Sequence, residues 1–444
     1  MPSYAAQSDA SAAAKVHHSI IALLGARYKN ISIKHNKSMR ILFLSHYFPP
    51  EVNAPATRTY EHCREWVAQG HSVTVVSCVP HHPMGRAYPG YTNKFFSVEE
   101  KDGIKVIRLL TYITANEGFL KRTFNYVFYM LMTMMAAPFI GKADVVISTS
   151  PQFFNGLAGY FVSRIKRAPW LLEIRDLWPE SIVAVGAIKN RRIIATLEWI
   201  ERFVYRKADH VVSVTQAFKR HIAKCGASED KISVIRNGVD LSRFQATDID
   251  GALAEKWGLQ GKFVAAYVGT HGMAHGLDTL LDAAELLSGQ DDIVFLMVGD
   301  GAERERLHSE KERRRLTNVI MQPQQGKELM PAIWAMTDVS LVLLKKLDLF
   351  KTVIPSKIFE SMAMSTPIVL GVEGEVKDII KASGAGVCIE PESATELAAA
   401  VAELAANRQH YMSLQECGRT YVSTNFDRRE LAGNYLEVLD KLAR

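Results

Sequence analysis

Short apolar runs recur along the chain, each closed by polar or glycine positions. Met39–Ser45, Ser72–Cys78, Lys105–Leu110, Asp144–Thr149, Trp170–Ile174 and His210–Thr215 show no in/out alternation. Unalternating runs of this length read as parallel strands covered on both faces. The stretch Thr57–Gln69 has helical spacing and lies between the first two runs, giving a βαβ unit. Pro49, Pro50 and Asn53-Ala54-Pro55 predict a non-helical loop before it. A polar connection, Thr247–Leu259, separates this set from a second. The second set starts at Phe263–Gly269 and continues with Ile293–Val298, Asn318–Met321, Val339–Leu344 and Ile368–Leu370. Helices Leu277–Ser288 and Ala302–Leu316 fall between its strands, and Phe426–Arg444 reads as a final amphipathic helix. The fold class is therefore α/β, with two doubly wound Rossmann-like domains of about equal size. In such sheets ligands collect at the carboxyl ends of the strands, which places His46, Ser148, Ser150, Asp176 and Thr215 near one rim.

Composition narrows the classes. The 444 residues are 48% hydrophobic and 23% charged, as expected of globular domains with large cores. A net charge of +6 suits phosphorylated ligands or an anionic membrane surface and is too weak to argue for nucleic acid. Cys63, Cys78, Cys225, Cys388 and Cys417 are odd in number and have no metal-ligand spacing, which points to reduced cytosolic thiols and no zinc. Residues 1–38 carry one acidic residue and read as a disordered tail or upstream extension; their apolar run Ile20–Leu24 is too short for a signal peptide. Phe124–Ile140 is the most apolar stretch, uncharged and preceded by Lys121-Arg122, yet shorter than the ~20 residues of a spanning helix. Two readings stay open for it. One is a buried or groove-lining helix of the first domain. The other is a helix resting in a membrane interface, with Lys121, Arg122, Arg164, Lys166 and Arg167 on headgroups.

The densest chemistry lies in Val353–Val369 (VIPSKIFESMAMSTPIV), read as a loop, a helix from Ser356 to Ala363, a turn and a strand. Ser356 is a suitable N-cap, and the free N–H groups of such a first turn attract anions. Lys357 adds a positive charge there, and Glu360 lies one turn on, on the same side. Phosphates in front and a ribose diol on the carboxylate behind would make this a nucleoside-diphosphate clamp. An ordinary amphipathic helix with a surface Lys and Glu fits the local spacing as well. Gly299-Asp300-Gly301 follows a strand and precedes a helix, but Arg304 stands where a dinucleotide fingerprint needs its third glycine, so a nicotinamide cofactor is not expected. Asp248-Ile249-Asp250 lies in the connection and is read as a chance match to a metal motif. Asp176 is a candidate for contacting sugar or acceptor, or else the cap of the next helix. His46, Glu51 and Asn53 are candidate acceptor-side or diphosphate-side contacts, with plain packing open for His46.

Asn237-Gly238-Val239-Asp240, the turn Gly269–Gly276, Gly299-Asp300-Gly301 and PSKIFESMAMSTPIV occur in that order. Together they resemble the family-4 retaining glycosyltransferases of GT-B architecture, over roughly Met39 to Arg444. Ser45–Glu51 (SHYFPPE), His81–Lys94 (HHPMGRAYPGYTNK) and Arg175–Ser181 (RDLWPES) are similar to the branch with colanic acid and L-fucosamine transferases.

The resemblance implies a central cleft between an acceptor-side domain, 39–245, and a nucleotide-sugar domain, 246–425, with the helix 426–444 packing back toward the first. It makes Lys357, Asp176 and Glu360 the expected catalytic residues, Glu360 as the ribose glutamate. Ser356, Lys357, Glu360, Gly269, Thr270, His275, Gly299, Arg236 and Asn53 are the expected donor contacts, Arg236 being equally a domain-edge charge. Thr352 stands where the family has a partner glutamate, and Thr270 and His275 stand where it often has Arg and Lys. Lys357 and helix N–H groups must then carry more of the diphosphate. The implied reaction moves a sugar, possible types including N-acetyl-fucosamine and other deoxy or amino sugars, to a lipid-linked saccharide at the cytosolic membrane face. No metal or other cofactor is expected, and no nucleic-acid partner. Two other classes are weighed: an enzyme on the same plan with a soluble acceptor or 2-epimerase activity, and a non-enzymatic nucleotide-sugar-binding partner.

Overall fold

The computed structural model describes residues 38–114, 119–184, 186 and 188–444. The tail expected at 1–38 lies outside them but for Ser38. Eight strands form the first sheet: β1 Arg40–Leu44, β2 Ser72–Cys78, β3 Phe96–Lys101, β4 Ile104–Leu109, β5 Val145–Thr149, β6 Trp170–Ile174, β7 His210–Ser213 and β8 Ile232–Val234. Their order is β3-β4-β2-β1-β5-β6-β7-β8. All neighbours are parallel except β3, which runs antiparallel to β4. The apolar-run reading misses β3 because this edge strand is largely solvated. Its signal was the Asp102-Gly103 turn, where both residues have positive φ (51° and 75°), as a tight hairpin requires.

The second sheet holds β9 Phe263–Val268, β10 Ile293–Val298, β11 Val319–Gln322, β12 Val339–Leu343, β13 Ile368–Gly371 and β14 Gly386–Cys388. It is wholly parallel in the order β11-β10-β9-β12-β13-β14, the doubly wound nucleotide-binding order. The chain is thus a two-sheet α/β fold.

Three local expectations are corrected. The first long helix spans Ala54–Ala68 and so begins inside the Asn53-Ala54-Pro55 corner expected to be loop, with Asn53 as its cap. Proline is tolerated in a first turn, where its missing N–H would be unpaired anyway. The polar connection contains a helix, Gly251–Lys256, and Asp250 of the Asp-x-Asp triplet caps it by accepting from Leu253 N–H at 3.0 Å. Val239 and Phe244 are buried in the second domain's core, so the apolar boundary falls several residues before 245.

The chain returns to the first domain at the same point. Val239 N–H donates to Phe426 O and Arg428 N–H to Val239 O, both at 3.0 Å. An added Cβ on Gly238 would meet Phe426 O at 2.3 Å, so only glycine allows this crossing. The last helix, Arg428–Ala443, then lies on Ala54–Ala68: Trp66 Nε1 donates to Ala432 O at 3.1 Å, and the Trp66 ring meets Tyr435 edge-on.

Candidate functional site

The strand order of the second sheet reverses between β9 and β12, where an open α/β sheet forms its binding crevice. The loops after β9 and β10 close one wall, and both rely on glycine for close approach. A Cβ on Gly299 would sit 1.8 Å from Gly269 O, and one on Gly301 would sit 2.4 Å from His271 O. His271 N–H donates to Asp300 O and Glu303 N–H to His271 O, each at 2.9 Å. Gly299, expected as a donor contact, therefore locks two loops together.

The other wall is the short helix Lys357–Ala363. The Lys357 ammonium stands 3.6 Å from the centre of the buried Tyr267 ring, and its Nζ has no hydrogen-bond partner and no exposed surface. Gly269 makes room for it: a Cβ there would lie 3.0 Å from Nζ. Burial pulls the Lys357 pKa from 10.5 to about 7, opposed by the charge of Glu360. The shift corresponds to a penalty of ~5 kcal/mol on the charged form, of which an aromatic face can offset ~2 kcal/mol. Tyr267 is itself fixed by donating to Thr270 O at 2.8 Å. His271 and His275 flank the ammonium; burial lowers each to about 4, helped by the charges of Arg304 and then Lys357 at His271 and of Lys357 at His275, so both are neutral at pH 7. Both ring nitrogens of His271 and the Nδ1 of His275 lack partners. The corner thus holds a latent cation, ringed by unpartnered donors and acceptors, that feels the Glu360 charge but has no hydrogen-bond partner at Nζ. An incoming diphosphate would satisfy it.

One turn on, Glu360 accepts from Trp334 Nε1 at 3.3 Å, and burial raises its pKa. Nearby charges belong to Glu61 and Arg428 of the first domain side and to Lys327, whose Nζ reaches Thr57 Oγ1 across the cleft. The fold therefore brings Lys357, Glu360, Gly269, Thr270 and His275 to one corner. Thr270 contributes its carbonyl to Tyr267 and is otherwise exposed. Thr352 bonds locally, Oγ1 to Leu349 O at 2.6 Å.

Several expected contacts have other partners. Ser356 has helical dihedrals and makes no capping bond, and the helix it precedes has seven residues. Ile358 N–H and Phe359 N–H already donate to Pro355 O and Ser356 O. Oriented N–H groups therefore offer an anion less than the sequence suggested, and the Lys357 side chain more. Arg236 is held by Glu375, with Nε and Nη2 at 3.0 and 2.6 Å from Oε1. The other oxygen of Glu375 accepts from Gln216 N–H at 2.8 Å, so this carboxylate ties the two domains. Asn53 caps Ala54–Ala68, accepting from Ala56 N–H at 2.8 Å. The Asp176 carboxyl lies beside Leu177 N–H, Trp178 and Ser181; burial raises its pKa, and the charge it feels is that of Arg122. It serves the start of the next helix and is not brought to the Lys357 corner. Glu51 accepts from Phe48, His81 and His82 N–H and is pushed up to about 7 by burial, which makes it a clasp between two loops. His46 is buried in a ring cluster with Tyr47, Tyr126 and Tyr129, the packing alternative.

Tyr267, His271, Trp334 and Glu375 were not singled out from the sequence. The first sits inside an apolar strand, and nothing local marks the others. Among the described residues one group of His, Cys and Glu atoms lies within reach of a common metal, Glu201, His221 and Cys225. There His221 is already held by Glu201 at 2.9 Å and Glu180 at 3.3 Å. All five cysteines are free.

Comparison with known proteins accounts for both halves. A glycosyl transferase 4-like domain matches residues 53–238, and the group 1 glycosyl transferases match 252–421. The chain is 24% identical over 410 residues to WcaI of Escherichia coli K12, a glycosyl transferase assigned to colanic acid biosynthesis, covering 90% of this chain and 99% of that protein. It is 25% identical over 377 residues to a GDP-mannose-dependent alpha-mannosyltransferase of Mycobacterium tuberculosis, covering 84% and 90%. Sucrose-phosphate synthase of Thermosynechococcus elongatus has the same fold, with TM-score 0.74 at 17% identity over 91% of this chain and 99% of that one. So does Anabaena HepE, solved with UDP-glucose, with TM-score 0.67 at 17% identity over 91% and 100%. A two-sheet crevice of this geometry, matched in order by both family domains, makes the chain a family-4 glycosyltransferase of GT-B fold.

Proposed function

We propose that the chain is a retaining glycosyltransferase that moves a sugar from a nucleoside-diphosphate donor to a lipid-linked saccharide during surface polysaccharide assembly. The observation that carries the donor half is the buried, unpartnered Lys357 ammonium over Tyr267, packed against the Gly269 backbone where a Cβ would lie 3.0 Å from Nζ. Breaking the sugar–diphosphate bond builds negative charge on phosphate oxygens. A fixed cation in a dry corner stabilises that charge more as it grows, so it acts on the transition state. In this reading the Lys357 ammonium takes the part a divalent ion plays elsewhere. Glu360, aimed by Trp334, takes the ribose hydroxyls. No side chain is cast as nucleophile: the departing phosphate accepts the acceptor's proton on the same face, which retains the anomeric configuration.

The acceptor half has lighter support. It rests on the relative assigned to colanic acid biosynthesis, which spans nearly the whole chain, whereas HepE, of the same fold and solved with UDP-glucose, bears on the donor alone. The donor class is a hexose or acetamido sugar. A panel of UDP-, GDP- and TDP-sugars tests the reading by thermal shift, since a ligand at 100 times its Kd adds ~2.7 kcal/mol to apparent stability. One nucleotide class should raise Tm in wild type, and Lys357→Met should lose more kcat than donor affinity with that class. Transfer that survives Lys357→Met, or that stops on chelation, would remove this mechanism.

A further inference from the structure

The helix Phe119–Ala136 settles part of the earlier question about the apolar stretch, and no helix among the described residues is long and apolar enough to cross a membrane. One side of it faces the first domain through Tyr126, Tyr129, Met132, Thr133 and Ala136, all buried. The opposite side should then be polar, as on any helix that divides core from water. It is not. Leu120, Phe124, Leu131 and Met135 are 48–81% exposed, and at 3.6 residues per turn they fall within ~60° of one another. Phe139, just past the helix, is 82% exposed. The stripe runs for more than ~20 Å. It continues onto the packed neighbour Asn155–Lys166, where Phe161 and Ile165 are exposed one turn apart.

Charge around this surface is mainly positive. Residues 119–207 carry thirteen Lys and Arg against six Asp and Glu. Three of the six are turned to other work: Asp144 pairs with Arg40, Glu173 with Arg58, and Asp176 faces inward. Neither helix of the stripe contains an acidic residue. Lys121, Lys142, Arg164 and Arg167 border the apolar residues and are themselves exposed. A second copy of the chain would bring cations against cations here. An anionic bilayer meets both features, acyl chains for the stripe and phosphate headgroups for the rim.

We propose that the Phe119–Ala136 and Asn155–Lys166 helices form an interfacial docking face, on which the first domain lies in the headgroup layer of an anionic bilayer without crossing it. The face gives a purpose to the lipid-linked acceptor of the preceding reading and rests on it for that purpose alone; its test needs neither donor nor acceptor.

The test is flotation of the full chain with extruded vesicles of phosphatidylcholine, with and without about one-third phosphatidylglycerol. Wild type should float with the anionic vesicles and remain largely below with the neutral ones. The double variant Leu131→Ser, Phe139→Ser should lower the partition coefficient at least about tenfold. Lys121→Gln and Arg164→Gln should each lower it about fivefold. Leu286→Ser, equally exposed on the second domain, should leave it unchanged. Thermal melting of each variant checks folding, because every substituted side chain is exposed. Equal binding to both vesicle types would overturn the basic rim. No binding, or a wild-type dimer that Leu131→Ser, Phe139→Ser turns to monomer, would overturn the docking face. Vesicle binding without any nucleotide-sugar response keeps the face and removes the catalytic reading instead.

Discussion

Donor binding should take up a proton, and the structure sets how much. Lys357 titrates at about 7 because its ammonium is buried without a hydrogen-bond partner. A diphosphate diester beside Nζ restores the charge's solvation and returns the pKa toward the ordinary 10.5. The charged form binds more tightly than the neutral form, so affinity falls as pH rises above the free-protein value. Between pH 7 and 8.5 the charged fraction drops from one half to ~3%, so Kd should rise by up to about fifteenfold. His271 and His275, at about 4, are already neutral throughout this window and do not blur it. Isothermal calorimetry with a sugar nucleotide that binds, in buffers of differing ionisation enthalpy, reads the uptake directly: about half a proton per ligand at pH 7, approaching one at pH 8.5. Lys357→Met should bind weakly with no pH dependence over the same range. A Kd flat from pH 6 to 8.5 in wild type, with no buffer dependence of the heat, would refute the assignment of Lys357 as the diphosphate's cation.

Three further outcomes follow from the same geometry. Without ligand, Lys357→Met should raise stability at pH 7 by about 2 kcal/mol, because it removes a buried unpaired charge. The sign is that of a lysine with depressed pKa: the unfolded chain binds more protons between pH 7 and 10.5, so wild-type stability rises with pH there, and a denaturant series in that window should show the variant's advantage shrinking. Gly299→Ala should destabilise by about 3 kcal/mol or fail to fold, since its Cβ would sit 1.8 Å from Gly269 O; an unchanged urea midpoint would contradict the loop lock. Glu375→Gln should weaken the Arg236 tie and the hold on Gln216 N–H, which small-angle scattering would read as a larger radius of gyration with Tm lowered only slightly.

Much of this protein was determined by local sequence. Buried parallel strands are apolar on both faces, so eleven of the fourteen described strands announced themselves as runs, all but the solvated edge strand β3 and the three-residue β8 and β14, and the helical repeat alone set Lys357 and Glu360 one turn apart. Asp102-Gly103 was also legible as a hairpin turn, had turn chemistry been weighed above hydrophobic runs. What the tertiary structure decided is which polar groups remain free. The Asn53 oxygen and Arg236 look available in sequence; a helix cap takes the first and a carboxylate 139 positions away the second, while Asn53 Nδ2 stays unpartnered. Lys357 looks like a surface residue, and the Tyr267 ring that faces it comes from a strand ninety positions earlier. Hydrogen bonding and solvation depend on neighbours in space, and the two sheets choose those neighbours by strand order, which no local pattern encodes.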